Sequence, residues 1–384
     1  MNKHAGSLLP TYNPYPFPLQ RGQGEHVSDE HGEVYLDLYG GHCVASTGHC
    51  HPAVTAAIAD QARRLIFYSA AAQLPIRDAA ARALVDFAGG GMASVFFCNS
   101  GSEANESALK IAIKLTGCNK LVAFNGSFHG RTLLALSVTD APGLRRDYES
   151  LLTPTTFLPF GDADALQRAN LSDVAAVIVE PIQSMAGVKT ASPEWFAALR
   201  AKCDAAGTLL IFDEVQTGIG RLGTPFAANF YAVEPDLITC AKGMASGIPM
   251  GGVLMRASVA ERLKPGDLGS TFGGGPVACA AMNATLDVIQ NEALMANARE
   301  REIQLRALLS DGPVRNVRGA GLLLGLEIGE QAKALKAYLL KQHILVGGSD
   351  DPGVLRLLPP LNLSTDAVQR LHAAISDFGS RQAA

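Results

Sequence analysis

The sequence contains no Cys-x-x-Cys pair, and its seven cysteines are scattered and odd in number. That excludes a disulfide framework and a structural zinc site, and suits a reducing compartment. It has no basic block of five or more residues, and its net charge is −4. Nucleic acid and anionic membrane surfaces are therefore not expected as main partners. No apolar run reaches membrane-spanning length, and the opening "MNKHAGSLLPTYNPYPFPLQ" has no apolar signal core. The expectation is no membrane association and a cytoplasmic location. There is no Gly-Lys dipeptide. The strand-like "TLLIFDE" ends in Asp213 and Glu214, as a magnesium site would, but the phosphate loop of an NTPase is missing.

What remains is a chain of 384 residues, 48% apolar and 18% charged. It is long enough for one large domain with a second, smaller one. The stretch "EHVSDEHGEVYLDLYG" predicts a hairpin turning at Glu30–His31–Gly32, and Pro52 opens a helix in "HPAVTAAIADQARRL". From about residue 94, strand, loop and helix alternate. The expected strands are 94–98, 120–124, 175–180, 208–213, 236–241 and 251–255, with helices over 102–116 and 193–206. Near-continuous apolar strands between helices predict a mainly parallel sheet covered on both faces. Ligands of such sheets bind beyond the strands' carboxyl ends. After residue 276 the pattern predicts a long helix over 277–309, short strands, a helix near 330–342 and a last helix from about 365.

Three strand ends carry chemistry. After 94–98, Asn99–Ser100–Gly101–Ser102 opens a helix, where free N–H groups and hydroxyls seat an anion such as a phosphate, or simply cap the helix. Asp213 ends another buried strand. Lys242, in "DLITCAKGMASGIPMGG", ends a third among small and apolar neighbours, where desolvation favours the uncharged amine that attacks a carbonyl. Two motifs are set aside. "GIGRLG" (218–223) matches a dinucleotide pattern by letter, but it does not follow its strand directly and Pro225 stands where a helix should run. "GHCHP" (48–52) offers His49 and His51 to a metal, but no second ligand cluster stands out, so no metal is expected.

A phosphate seat, a carboxylate and an amine at neighbouring strand ends together fit one cofactor, pyridoxal 5′-phosphate. A carboxylate ~4 Å from the pyridine nitrogen contributes ~4 kcal/mol at an effective dielectric of ~20, or roughly three pKa units. Asp213 alone would therefore keep the ring protonated at neutral pH. Lys242 would hold the aldehyde as a Schiff base and then shuttle protons.

In order along nearly the whole chain, "FFCNSGSEANESALK", "FNGSFHGRT", "VIVEPIQ", "LLIFDEVQTGIGRLG", "PDLITCAKGMASGIPMGG", "STFGGGPVACAA" and "VLRLLPPLNLS" resemble class III (omega-amino) aminotransferases, of the acetylornithine and ornithine aminotransferase branch. The resemblance implies an α/β chain of fold type I, with a large domain built on a mainly parallel seven-stranded sheet plus a small α+β domain. It implies a segment 1–45 that joins the small domain, a large domain over 46–276 and a small domain over 277–384. It also implies a homodimer with active sites at the interface.

By the same resemblance, Lys242 and Asp213 are catalytic, and Gln216 bonds the cofactor's phenolic oxygen. Phe128 and Val215 cover the two ring faces. Ser100, Gly101 and Ser102 hold the phosphate, Thr271 reaches the phosphate of the neighbouring subunit, and His129 and Glu180 belong to the cofactor pocket. Arg356 and Arg131 match carboxylate ligands, and Tyr12 lies where relatives bind the donor carboxylate. Two positions depart from the pattern. Met185 stands where many relatives have a glutamate that pairs with the carboxylate-binding arginine. His42 stands where an apolar residue or tyrosine is common, either lining the donor pocket or bonded to its own loop. The implied reaction moves the terminal amino group of N-acetylornithine, or a similar acylated diamino acid, to 2-oxoglutarate in arginine biosynthesis. The alternative is an omega-transaminase acting on ornithine, 4-aminobutyrate or a diamine.

Overall fold

The computed structural model describes residues 9, 11–309 and 312–383. Its centre is a seven-stranded sheet: β1 Met92–Cys98, β2 Lys120–Phe124, β3 Thr155–Leu158, β4 Val174–Val179, β5 Leu209–Asp213, β6 Leu237–Cys240 and β7 Gly251–Arg256. The order across the sheet is β1-β7-β6-β5-β4-β2-β3. Only β7 runs against the rest; it pairs antiparallel with both β6 and β1. The carboxyl ends of the other six strands therefore lie on one edge.

Sequence explains the central position of β4 and its neighbours. All six residues of β4, VAAVIV, are buried. A side chain buried on either face suits a parallel strand covered by helices on both sides. Ile178 and Val177 are fully enclosed, and burying each such side chain contributes about 1.5–3 kcal/mol. Strand β3, which sequence reading missed, is different. Its residues TTFL are exposed or half-buried at the sheet's edge, so no apolar run marks it.

The helix Gly101–Thr116 shows how a strand end becomes a site. Ser100 is extended and its hydroxyl accepts the N–H of Glu103. The carboxylate of Glu103 reaches back to the N–H of Asn99 at 2.9 Å, a reciprocal cap that fixes where the helix begins. Its inner face, with Ala104, Ala108, Leu109, Ile111 and Ala112, is buried against the sheet.

The second unit combines both halves of the chain. The hairpin His26–Asp29 and Val34–Asp37 forms as expected, with a preceding strand Leu19–Gln23 added to it. Val34–Asp37 pairs parallel with Ile344–Leu345. A separate antiparallel sheet holds Asn316–Ala320, Leu323–Glu327 and Val354–Leu357. The single helix expected over 277–309 is two, Pro276–Asn291 and Leu294–Leu308, because Ala293 adopts a left-handed conformation with φ 52°. No helix of the described residues is long and apolar enough to cross a membrane.

Candidate active site

A cavity of about 700 Å³ opens at the carboxyl edge of the sheet. Lys242, one residue beyond the Ala241 that follows β6, lines it with φ 42°. Gly243, next to it, lies so close to Ser46 that any side chain would collide with that hydroxyl. The amine of Lys242 has no hydrogen bond or ion pair among the described residues.

Asp213, the last residue of β5, is 4% exposed. Its Oδ2 accepts from Asn105 Nδ2 at 2.7 Å and lies 2.7 Å from His129 Nδ1, while Oδ1 accepts the N–H of Val215 at 3.1 Å. Asn105 is itself fixed, giving a second hydrogen bond to the His129 carbonyl and accepting one from Thr239. The carboxylate is thus held from behind, in the one orientation these donors allow. The far ring nitrogen of His129, Nε2, is buried with no hydrogen-bond partner among the described residues.

Glu180, just past β4, accepts the N–H of Phe128 at 2.9 Å. Its carboxyl is pushed up to about 7, mainly by burial and further by Asp213, against the opposing pull of His129, the Phe128 N–H and Lys242.

Phe128, Val215 and Gln216 line the same cavity. Gly101 is required there, since a side chain on it would stand 2.7 Å from Val215 Cγ1. Ser100, Gly101 and Ser102 border the cavity, and the N–H groups of Gly101 and Ser102 have no acceptor among the described residues. The Ser102 hydroxyl accepts the N–H groups of Arg131 at 3.0 Å and Thr132 at 3.2 Å. A cradle closed to side chains, two free N–H groups at a helix start, a fixed carboxylate and an unpaired amine fit pyridoxal 5′-phosphate in shape and in charge.

Tyr12, His42, Met185, Arg131 and Arg356 also line the cavity. Arg356 is 3% exposed. It donates from Nε to the Gly348 carbonyl at 2.5 Å, from Nη1 to Ser184 Oγ at 3.1 Å and from Nη2 to the Tyr39 hydroxyl at 3.0 Å. None of these is a carboxylate. Burial lowers its pKa, although it stays a cation. Arg131 is exposed at the cavity mouth, its guanidinium without a partner among the described residues. Tyr12 is 73% exposed, its ring 6.4 Å from that of His42.

His42 is on an unusual turn. Gly40, Gly41, His42 and Cys43 have φ of 57°, 57°, 66° and 67°, one turn of left-handed helix. The two glycines tolerate it; His42 and Cys43 cost about 1–2 kcal/mol each. The turn starts from Asp37, whose Oδ1 accepts the N–H groups of Tyr39 and Gly40, both at 2.9 Å. His42 Nδ1 lies 2.9 Å from the Tyr39 hydroxyl, and its pKa is lowered by burial and by the Arg356 and Lys242 charges.

Of the residues that the resemblance assigns to cofactor or substrate, only Thr271 is absent from the lining of this cavity; it is exposed. Sequence reasoning did not find Asn105, Ser184 or Tyr39. Asn105 reads as one more helix residue, and a buried polar residue on the sheet-facing side was its only signal. The sequence motifs set aside have structural roles. His49 bonds Asp37 at 2.8 Å and His51 caps its helix, and no group of three metal-ligating side chains occurs among the described residues. In "GIGRLG", Arg221 is buried and donates to the carbonyls of Leu322 and Pro359, tying the turn to the second unit.

The model of the class III aminotransferase family matches residues 9–378. An acetylornithine aminotransferase of Methanopyrus kandleri is 42% identical over 370 residues, 96% of this chain and 95% of its own. Among solved structures, an ornithine aminotransferase of Toxoplasma gondii superposes with a TM-score of 0.91 at 31% identity, covering 97% of this chain and 92% of its own. A pyridoxal-phosphate-bound amine transaminase from an uncultivated Pseudomonas species does so with a TM-score of 0.90 at 27% identity, covering 99% of each chain. On the family match and these relatives, the chain belongs to the class III aminotransferases, enzymes that work with pyridoxal 5′-phosphate.

Proposed function

We propose that this aminotransferase moves the terminal amino group of N-acetylornithine, or a similar acylated diamino acid, to 2-oxoglutarate, as a cytoplasmic homodimer serving arginine biosynthesis. One observation carries the reading. Among the described residues, a lysine amine without a partner, a fixed carboxylate and a helix start share a cavity with a buried arginine that makes no ion pair.

When bound, pyridoxal 5′-phosphate supplies an aldehyde that takes up the donor nitrogen and a ring that withdraws electrons. The chain supplies the rest. Ser100 and the N–H groups of Gly101 and Ser102 hold the phosphate. Phe128 and Val215, which line the cavity, would hold the cofactor's ring. Asp213, fixed by Asn105 and His129, would hold the ring nitrogen, and Gln216 would hold the phenolic oxygen. Lys242 Nζ, free of hydrogen bonds and ion pairs among the described residues, would hold the cofactor at its aldehyde end and would carry protons for the substrate carbon. Glu180, held by the Phe128 N–H, lines the same cavity and would border the ring, its carboxyl pushed up mainly by burial. Arg356 and Arg131 bind substrate carboxylates, Arg356 through its two uncommitted N–H groups. Tyr12, His42 and Met185 line the donor end. Thr271, exposed and outside its own cavity, suits the phosphate of a second copy.

The test is a titration of the holoenzyme with N-acetylornithine, ornithine, 4-aminobutyrate and putrescine in turn. The cofactor absorption is followed, and glutamate is measured after adding 2-oxoglutarate. Conversion at the lowest concentration with N-acetylornithine is expected. Stronger conversion by ornithine, or by an amine without a carboxylate, overturns the substrate assignment.

A further inference from the structure

Arg356 is a buried cation whose hydrogen-bond partners among the described residues are all neutral oxygens: the Gly348 carbonyl, the Ser184 hydroxyl and the Tyr39 hydroxyl. A guanidinium has five N–H donors in one plane. Three are spent on these acceptors, two are uncommitted among the described residues, and Arg356 lines the cavity. Hydrogen bonds to neutral acceptors offset the loss of water without cancelling the charge. Met185, beside Ser184 on the cavity wall, brings no charge either.

Tyr39 is placed there by a dedicated arrangement. Its backbone is anchored on Asp37 and is followed at once by the left-handed turn. Its ring lies 5.6 Å from the Arg356 guanidinium carbon, a cation–π contact as well as a hydrogen bond. Space for the ring exists because residue 347 is glycine; a side chain on Gly347 would overlap the Tyr39 ring. Gly347 and Arg356 are bridged by a pair of backbone hydrogen bonds at 3.0 and 2.9 Å, so the slot and the arginine are parts of one ladder. A guanidinium can only donate, so the phenol oxygen accepts from Arg356, and the same oxygen lies 2.9 Å from His42 Nδ1.

We propose that Tyr39 is the positioning residue of the Arg356 carboxylate seat: its neutral hydroxyl, in place of a counter-ion, fixes the guanidinium plane and keeps the seat open to a five-carbon dicarboxylate in both halves of the reaction. The proposal rests on the reading of Arg356 as a substrate-carboxylate ligand. No internal carboxylate has to leave before a substrate carboxylate binds. A dicarboxylate therefore binds the resting holoenzyme as well as the amino-loaded form, and competes there with the amino donor.

The experiment measures the Kd of glutarate, a dicarboxylate with no reactive carbonyl, on the holoenzyme by calorimetry and by perturbation of the cofactor absorption. Glutarate is expected to bind the wild type, and Tyr39→Phe to weaken it about tenfold, the range of one hydrogen bond to a charged group. In an Arg356→Ala background, Tyr39→Phe is expected to have no further effect, because a residue acting only through Arg356 has nothing left to position. Gly347→Ala, which pushes the ring away while keeping the phenol, is expected to weaken glutarate in the same direction. Unchanged or tighter binding in Tyr39→Phe, or additive losses in the double variant, would overturn the proposal. Undiminished glutarate binding in Arg356→Ala alone would instead remove the reading of Arg356 as the carboxylate ligand. A failure of N-acetylornithine as donor touches neither measurement.

Discussion

Nδ1 of His129 lies 2.7 Å from Oδ2 of Asp213, and the two side chains are 0% and 4% exposed. The same Oδ2 also accepts from Asn105. An asparagine at 213 would turn an amide toward donors that need an acceptor, and it would bring no charge. Asp213→Asn is expected to lower turnover roughly 10³-fold, since about three pKa units of ring protonation rest on that charge. Steady-state kcat checks it, with cofactor absorption confirming occupancy. A loss under tenfold would mean the carboxylate does not face the ring nitrogen.

Lys242→Ala is expected to cut amino transfer by ~10³-fold or more, because both the nucleophile and the proton carrier go. The phosphate cradle at Gly101 and Ser102 is untouched, so the cofactor remains bound without a covalent link. Turnover and cofactor retention after dialysis are the two readouts. Near-normal turnover would move the chemistry to another residue.

Met185→Glu would place a carboxylate on the cavity wall beside Ser184, which already bonds Arg356. A buried arginine given an internal counter-ion attracts an external one less. The KM for 2-oxoglutarate is expected to rise about tenfold, while donors lacking a carboxylate at that end gain. Steady-state kinetics with paired donors would reveal it, and an unchanged KM would show that position 185 does not address the arginine.

Glu214 gives a pH prediction remote from substrate. It is 1% exposed, and its carboxyl is pushed up to about 7, mainly by burial. The N–H groups of Ala227 and Ala228 and the Thr217 hydroxyl pull it the other way. The unfolded chain releases this proton near 4.5 and the folded protein holds it to about 7. Folding stability from this group is therefore full below 4.5 and declines as pH rises to about 7. Thermal or urea unfolding between pH 4.5 and 8 should show a smaller decline in Glu214→Gln than in the wild type. Equal slopes in the two proteins would assign the decline elsewhere.

The strand ends were legible because burial on both faces leaves a plain mark: FFC before Asn99, LLIF before Asp213 and LITC before Lys242. Each polar residue after an apolar run falls on the ligand edge. Strand β3 left no such mark, since an edge strand of half-exposed TTFL need not be apolar. The break between the two helices at Ala293 was invisible for another reason: alanine favours helix, and only tertiary packing turns it left-handed. The hydrogen bond from Arg356 to Tyr39 spans 317 positions. No local pattern encodes a partner so distant, although the Tyr-Gly-Gly at 39–41 does announce a turn.

That separation has a consequence for synthesis. Tyr39 leaves the ribosome early, and Arg356 enters only when most of the 384 residues have been made. The Val34–Asp37 strand likewise waits for Ile344–Leu345 to close its sheet. A nascent chain stopped before residue 356 can carry Lys242, Asp213 and the helix start at Gly101, yet it lacks the buried guanidinium that Tyr39 contacts. Among the charged side chains that line the cavity, that cation is the last this polypeptide acquires.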